Sequence, residues 1–121
     1  MPDNLTEQRI KFFQEISMLA IWASVKGINL LPFRFYSTAE EQAKLFKEGK
    51  SNCDGTKKTS NHQTWTAMDI VIIDKEGQPA WNPIREYDVL GEIWESLGGT
   101  WGGHWFRDGK TSFNDVFHFE L

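Results

Sequence analysis

The feature that most constrains the fold is the apolar run at residues 67–73, AMDIVII, which a polar turn follows. Its β-branched and apolar side chains predict a buried β-strand. Asp69 lies inside that run, although an unpaired carboxylate is costly to bury. His62 precedes the run in a polar segment. The fold must therefore supply a partner for the carboxylate of this strand.

The composition bounds the class of protein. A chain of 121 residues with 40% hydrophobic and 14% aromatic content fits a single domain, 1–121, with one core. A net charge of −4 argues against a nucleic-acid partner. Cys53 is the only cysteine, so an internal disulfide is excluded and a reducing compartment is favoured. No apolar run reaches the ~18 residues that insertion into a membrane requires.

The order of predicted elements favours an α+β fold with a small, largely antiparallel sheet and flanking helices. Apolar spacing predicts a helix over 6–26, with core positions at Ile10, Phe13, Ile16, Ala20 and Ala23. The segment 28–36 is expected to be an edge or bent strand because it contains Pro32. Other expected elements are a helix from a capping box at Thr38 and Glu41 to Gly49, a loop at 50–61, a helix at 85–97 and a strand at 116–121.

A second expected core strand also carries a polar side chain, because His118 lies between Phe117 and Phe119. A buried histidine or aspartate taken alone is usually a hydrogen-bonded structural residue. Two histidines and one aspartate together, however, suit a zinc ion whose fourth position stays open to water. Cys53 could supply a fourth ligand, but it has no CxxC partner. Asp115 and Glu120 lie near His118 as possible proton acceptors.

These residues resemble the zinc peptidases that cut peptidoglycan stem peptides, the D-alanyl-D-alanine carboxypeptidase and L-alanyl-D-glutamate endopeptidase family. That family shares its zinc-site architecture with lysostaphin-type enzymes and the hedgehog signalling domain. The resemblance spans about residues 8–121, and the compact chain without a wall-binding module is similar to bacteriophage endolysins. The matching residues are Ser60, His62, Ala67, Asp69, Trp101-Gly102-Gly103, Trp105, Asp115, His118, Phe119, Glu120, and Tyr36 to Gln42 with Gly49.

The resemblance implies that His62, Asp69 and His118 bind one zinc ion per chain. Asp115 matches the position of the acid/base carboxylate, and it is expected in the turn that enters the last strand. Ser60, Trp105 and Glu120 are expected to contact substrate or to support the metal ligands.

The chain departs from the family pattern at three positions. Ser37 stands where the family usually has an arginine that stabilises negative charge, and Arg34 is the nearest arginine that could replace it. Trp65 stands where many members have glycine. His104 occupies a place that is often Asp or Asn, and we expect it on a groove or on the surface.

The sequence therefore predicts a monomeric zinc peptidase of the phage endolysin type that acts as an L-alanyl-D-glutamate endopeptidase on peptidoglycan. A D,D-carboxypeptidase with the same zinc site is the nearest alternative. A catalytically silent, zinc-stabilised wall-binding domain is another, because the family arginine is missing. The N-terminal residues show no signal-peptide pattern, so we expect the protein in the host cytoplasm until it is released to the wall.

Overall fold

A four-stranded antiparallel sheet with strand order β1-β2-β4-β3 organises the chain. The computed structural model describes residues 4–51, 53–56, 61–111 and 114–121. The expected α+β class is confirmed. The elements are α1 (Asn4–Val25), β1 (Asn29–Arg34), α2 (Ala39–Lys47), a 3₁₀ helix (Asn61–Thr64), β2 (Ala67–Ile73), α3 (Arg85–Ser96), β3 (Thr100–Trp101), α4 (Gly102–Arg107) and β4 (His118–Glu120).

One face of the sheet packs on α1 and α3 and forms the core. Side chains alternate along a strand, so Ile70 and Ile72 of β2 enter this core while Asp69 faces the other way. The same alternation in β4 buries Phe119 in the core and turns His118 to the opposite face. The sheet thereby separates its apolar core from a polar face.

The prediction of which side chains of α1 enter the core is partly wrong. Ile10 and Phe13 are 50% and 68% exposed, and Ala20 is exposed as well. The helix carries two apolar stripes, and the one that packs on the sheet is rotated from the one that the spacing suggested. The buried positions of α1 are Phe12, Glu15, Ile16, Leu19 and Ala23.

The strand β1 lies at the edge of the sheet and is irregular, as Pro32 predicts. Its pairing with β2 shifts register between Pro32 and Arg34, which bends the strand at its end. The capping box of α2 is also present. Thr38 accepts a hydrogen bond from the backbone N–H of Glu41, and the Glu41 carboxylate accepts one from the backbone N–H of Thr38.

The sequence predicts no helix or strand in the aromatic segment 101–106, but the structure forms β3 and α4 there. The glycine pair Gly102-Gly103 hid this short helix, because glycine disfavours helices. Both glycines are required by packing, since a Cβ on Gly103 would collide with the ring of Trp101. Among the described residues, no helix combines the length and the apolar character needed to cross a membrane.

Candidate metal centre

Three neighbouring strands bring Arg34, Asp69 and His118 into one row across the sheet. Asp69 of β2 pairs with Arg34 of β1 on one side and with His118 of β4 on the other. Residues paired directly across antiparallel strands point to the same face and lie close together. The register of the sheet therefore assembles most of the site.

The 3₁₀ helix adds His62 to this row, and all three expected metal ligands are buried. The Nε2 atom of His62 lies 3.1 Å from Oδ1 of Asp69 and 3.2 Å from Nδ1 of His118. The Nδ1 atom of His118 lies 3.1 Å from the same Oδ1. Three possible ligand atoms thus form a nearly equilateral triangle.

Hydrogen bonds on the far side of each ring decide which nitrogen carries the proton. The Nδ1 of His62 donates to the backbone carbonyl of Phe35 at 2.8 Å, and the Nε2 of His118 donates to the carboxylate of Glu120 at 2.8 Å. A carbonyl and a carboxylate can only accept, so in their neutral forms the two rings turn a lone pair towards Oδ1 of Asp69. When His118 is protonated, its Nδ1 donates to that oxygen instead, so either a proton or a metal ion can supply positive charge between the three atoms.

The triangle fits a metal ion. A tetrahedral zinc ion with bonds of ~2.0–2.2 Å separates its ligand atoms by roughly 3.3–3.6 Å. The observed separations of 3.1–3.2 Å differ from that range by a few tenths of an ångström. Two imidazole nitrogens and one carboxylate oxygen are also donors that zinc accepts, and three of them leave a fourth position open.

The electrostatics of the cluster favour positive charge. Burial acts to lower the pKa of His118, but its hydrogen bonds to Asp69 and Glu120 outweigh burial and raise this pKa to about 10. Burial acts to raise the pKa of Asp69, yet hydrogen bonds to His118 and His62 hold it well below its usual range. The site therefore stabilises a carboxylate together with a cation.

Arg34 turns its guanidinium into the site, as the bend in β1 allows. Its Nη1 donates to Oδ2 of Asp69 at 3.4 Å. Its Nη2 donates to the hydroxyl of Ser37 at 2.8 Å and to the side-chain carbonyl of Gln42 at 3.0 Å. The small, fully buried Ser37 thus lies in contact with the guanidinium.

Asp115 lies at the start of the turn that enters β4, where it was expected. Its carbonyl accepts a hydrogen bond from the backbone N–H of His118 at 3.2 Å. Burial raises the pKa of its carboxyl to about 6, while the charge of His118 opposes the shift and that of Asp69 adds to it. Gly102 packs so closely here that a Cβ would collide with the Asp115 carbonyl.

Two further expected site residues contact His118. The ring of Trp105 in α4 lies with its centroid 5.3 Å from the centroid of the His118 ring. Glu120 accepts hydrogen bonds from His118 and from the side-chain amide of Asn61, so it links β4 to the 3₁₀ helix. Ser60 lies outside the described residues.

Neither of the two remaining metal-capable residues joins the cluster. Among the described residues, the group of three or more possible ligand atoms within 4.8 Å of one another comprises His62, Asp69 and His118, and Cys53 is not part of it. His104 is on the surface, as expected, and its ring nitrogens lie 3.1 Å from carboxylate oxygens of Glu95 and Asp108.

Sequence reasoning missed several polar partners of the site. Gln42 is 1% exposed and bonds Arg34, although only its place beside Glu41 in a recognised motif pointed to it. The carbonyl of Phe35 gave no signal, because a backbone acceptor leaves no pattern in a sequence. Ser37 was noted as the position where the family arginine is missing, but not as a hydrogen-bond partner of Arg34.

Residues 54–121 match the family model for D-alanyl-D-alanine carboxypeptidases. This range contains more than half of the chain and all three clustered side chains. The chain is also similar to peptidoglycan L-alanyl-D-glutamate endopeptidase CwlK of Bacillus subtilis (strain 168). The two are 29% identical over 124 residues, which cover 89% of this chain and 70% of that protein.

Two solved structures share the fold. The L-Ala D-Glu endopeptidase ChiX of Serratia marcescens superposes with a TM-score of 0.57 at 21% identity, over 78% of this chain and 67% of that one. The vancomycin-resistance D,D-pentapeptidase VanY, from a VanB-type cassette and in complex with Zn(II), gives a TM-score of 0.65 at 18% identity, over 93% and 71%. The D,D-peptidase-like fold expected from the sequence is confirmed.

Proposed function

This chain belongs to the D-alanyl-D-alanine carboxypeptidase family of metallopeptidases, and from that premise we propose that it is a zinc-dependent L-alanyl-D-glutamate endopeptidase of bacterial peptidoglycan. The observation that carries the proposal is the buried triangle of possible ligand atoms formed by His62, Asp69 and His118. The similarity to the endopeptidase CwlK over most of both chains supports the choice of bond.

His62, Asp69 and His118 would hold one zinc ion per chain. When bound, zinc would polarise the scissile carbonyl and lower the pKa of a water molecule. The carbonyl of Phe35 and the carboxylate of Glu120 would keep both imidazoles in the orientation and protonation state that a metal needs.

Asp115 would accept the proton of the attacking water and return it to the leaving amine. Two contacts hold the backbone of Asp115 in place. The backbone N–H of His118 donates to its carbonyl, and Gly102 of α4 packs against the same carbonyl. Arg34 would place positive charge next to the reacting carbonyl or next to a carboxylate of the stem peptide. Trp105 and Ser60 would contact the substrate.

A D,D-carboxypeptidase activity on the same site is the second candidate. It is favoured by the family model that the chain matches and by the fold shared with VanY. The two activities differ in the bond that they cut, so the products separate them.

The test is digestion of purified muropeptides by the zinc-loaded protein, with mass spectrometry of the products. The endopeptidase should release a peptide that begins with D-glutamate and leave L-alanine on the muramic acid. A D,D-carboxypeptidase should remove only the terminal D-alanine from pentapeptides. His62→Ala is the matched control and should give neither product, and turnover that persists after chelation would contradict the metal mechanism.

Absence of both products with the zinc-loaded wild-type chain would instead favour a silent wall-binding domain. Binding to purified peptidoglycan sacculi, measured with the same protein, would then be the activity that remains.

For the biological setting we propose a phage-type lytic enzyme that is monomeric and passes from the host cytoplasm to the wall at lysis. Lysis of permeabilised cells by added protein, and sedimentation of the free protein as a monomer, test these two points. If the turbidity of the cell suspension does not fall although the same protein hydrolyses muropeptides, only the lytic role is contradicted.

A further inference from the structure

The two oxygens of the Asp69 carboxylate have different partners. Oδ1 faces His62 and His118 at 3.1 Å each. Oδ2 accepts from Nη1 of Arg34 at 3.4 Å, in an ion pair whose aspartate side chain is 9% exposed. One oxygen is therefore directed to the metal position and the other to the guanidinium.

The guanidinium is itself held in place on its other side. Ser37 and Gln42, which are 0% and 1% exposed, both accept from Nη2 of Arg34. The amide of Gln42 is fixed in turn, because its Nε2 donates to the hydroxyl of Ser51 at 2.6 Å and to the carbonyl of Cys53 at 3.1 Å. A planar group with contacts on two sides cannot turn away without breaking partly buried hydrogen bonds.

A carboxylate can bind a metal with one oxygen or with both. We propose that Arg34 is a positioning residue for the metal centre: by holding Oδ2, it keeps Asp69 a one-oxygen ligand and so preserves an open position on the metal. This inference rests on the metal site of the proposed function. It gives Arg34 a second role, distinct from the contact with substrate proposed above.

Ser37 contributes to this arrangement by its size. The guanidinium of Arg34 lies in hydrogen-bond contact with the Ser37 hydroxyl, so the space beside position 37 is filled by a side chain from β1. The register pairs Arg34 with Asp69, and the bend after Pro32 lets the side chain reach both partners. A lysine at position 34 would keep the charge but lacks the second nitrogen that bonds Ser37 and Gln42.

The test compares Arg34→Met and Arg34→Lys with wild type in two measurements that do not depend on turnover. Competition with a chelator should show zinc affinity lower by about tenfold to a hundredfold in both variants, the usual effect of losing a group that orients a ligand. The visible absorption of the cobalt(II)-substituted protein should lose intensity, because a two-oxygen Asp69 raises the coordination number. Arg85→Ala, an exposed arginine at the start of α3, should leave both measurements unchanged.

Gln42→Leu gives a second route to the same result if the Arg34 variants do not fold. This variant keeps Arg34 but removes its hydrogen bond to Gln42. It should therefore lower the zinc affinity and the cobalt absorption as the Arg34 variants do, but by less. Wild-type zinc affinity and wild-type cobalt absorption in a folded Arg34→Met or Gln42→Leu protein overturn the inference. Failure of wild-type protein to cut muropeptides would count against the proposed function only, since both measurements here concern metal binding.

Discussion

At the scale of single residues, Trp65 holds a backbone conformation that bulky side chains rarely adopt. Its φ is 63°, and among the described residues it alone combines a positive φ with a side chain. Its ring stacks on Tyr36 at a centroid distance of 4.6 Å and meets the edge of Phe35 at 5.2 Å. These contacts offset a strain of about 1–2 kcal/mol.

We predict that Trp65→Gly is more stable than Trp65→Ala by about 1 kcal/mol. Both changes remove the ring contacts, but only glycine also removes the strain. Urea unfolding measures the difference. The matched control is Trp81, whose φ is not positive, because there the alanine variant should be the more stable one. Equal stability of the two variants at position 65 would contradict the strain argument.

The carboxylate of Asp115 gives a second prediction at this scale. Asp115→Asn keeps the shape of the side chain and removes its capacity to accept a proton. Muropeptide hydrolysis should fall by roughly a hundredfold or more, the usual effect of losing a general base. Zinc content should remain that of wild type, and the unfolding midpoint at neutral pH should not fall, because burial already disfavours the charged form of this carboxyl. Turnover near the wild-type rate would move the proton-accepting role to another group.

The three side chains of the candidate metal centre could be predicted from the sequence, but their partners could not. Asp69 and His118 interrupt apolar strands, so they stand out in a list of residues. Phe35 holds His62 with a backbone carbonyl, which every residue has, and Gln42 acts only because α2 packs beside β1. Residue types alone do not predict contacts that the backbone makes or that tertiary packing creates.

At the scale of elements, the same distinction separates the correct predictions from the wrong ones. The bounds of β2 follow from its apolar run, and α2 begins at its capping box, since both signals are local. The helix α4 was missed because glycine disfavours helices, and the packing of Gly103 on Trp101 and of Gly102 on Asp115 is known only from the fold. The packed face of α1 was misjudged because two apolar stripes compete and only the sheet decides between them.

Gly91 of α3 shows this dependence on packing and gives the prediction for this scale. A Cβ on Gly91 would collide with the ring of Trp101, whose Nε1 donates to the carbonyl of Val116 at 2.8 Å and holds the ring in place. Helix propensity favours Gly91→Ala by about 1 kcal/mol, but overpacking costs about 1–3 kcal/mol. We expect a net loss of up to about 2 kcal/mol in the free energy of unfolding.

Chemical denaturation measures that loss, and Glu92→Ala on the exposed side of the same helix is the matched control. The control should stay within about 0.5 kcal/mol of wild type. A Gly91→Ala protein that is more stable than wild type would mean that the Trp101 ring moves aside at little cost.

At the scale of the whole molecule, the candidate metal centre brings together parts of the chain that the sheet does not join by itself. His62 lies outside the sheet. Its 3₁₀ helix is tied to the segment that follows β1, because Nδ1 of His62 bonds the Phe35 carbonyl and the backbone N–H of Ser37 donates to the His62 carbonyl at 3.3 Å. Asp69 and His118 lie on adjacent strands. A bound ion would therefore tie the 3₁₀ helix to β2 and β4, and binding to the folded state alone would stabilise the fold.

We predict that removal of zinc lowers the midpoint of thermal unfolding by roughly 10 °C. Free zinc at a hundred times its dissociation constant contributes about 2.7 kcal/mol, and each kcal/mol shifts the midpoint of a domain of this size by about 3–6 °C. Calorimetry with and without chelator measures the shift. His62→Ala should unfold at the same temperature in both conditions, because one of its three ligands is gone. A wild-type midpoint that does not respond to verified zinc removal would contradict preferential binding of the ion to the folded state.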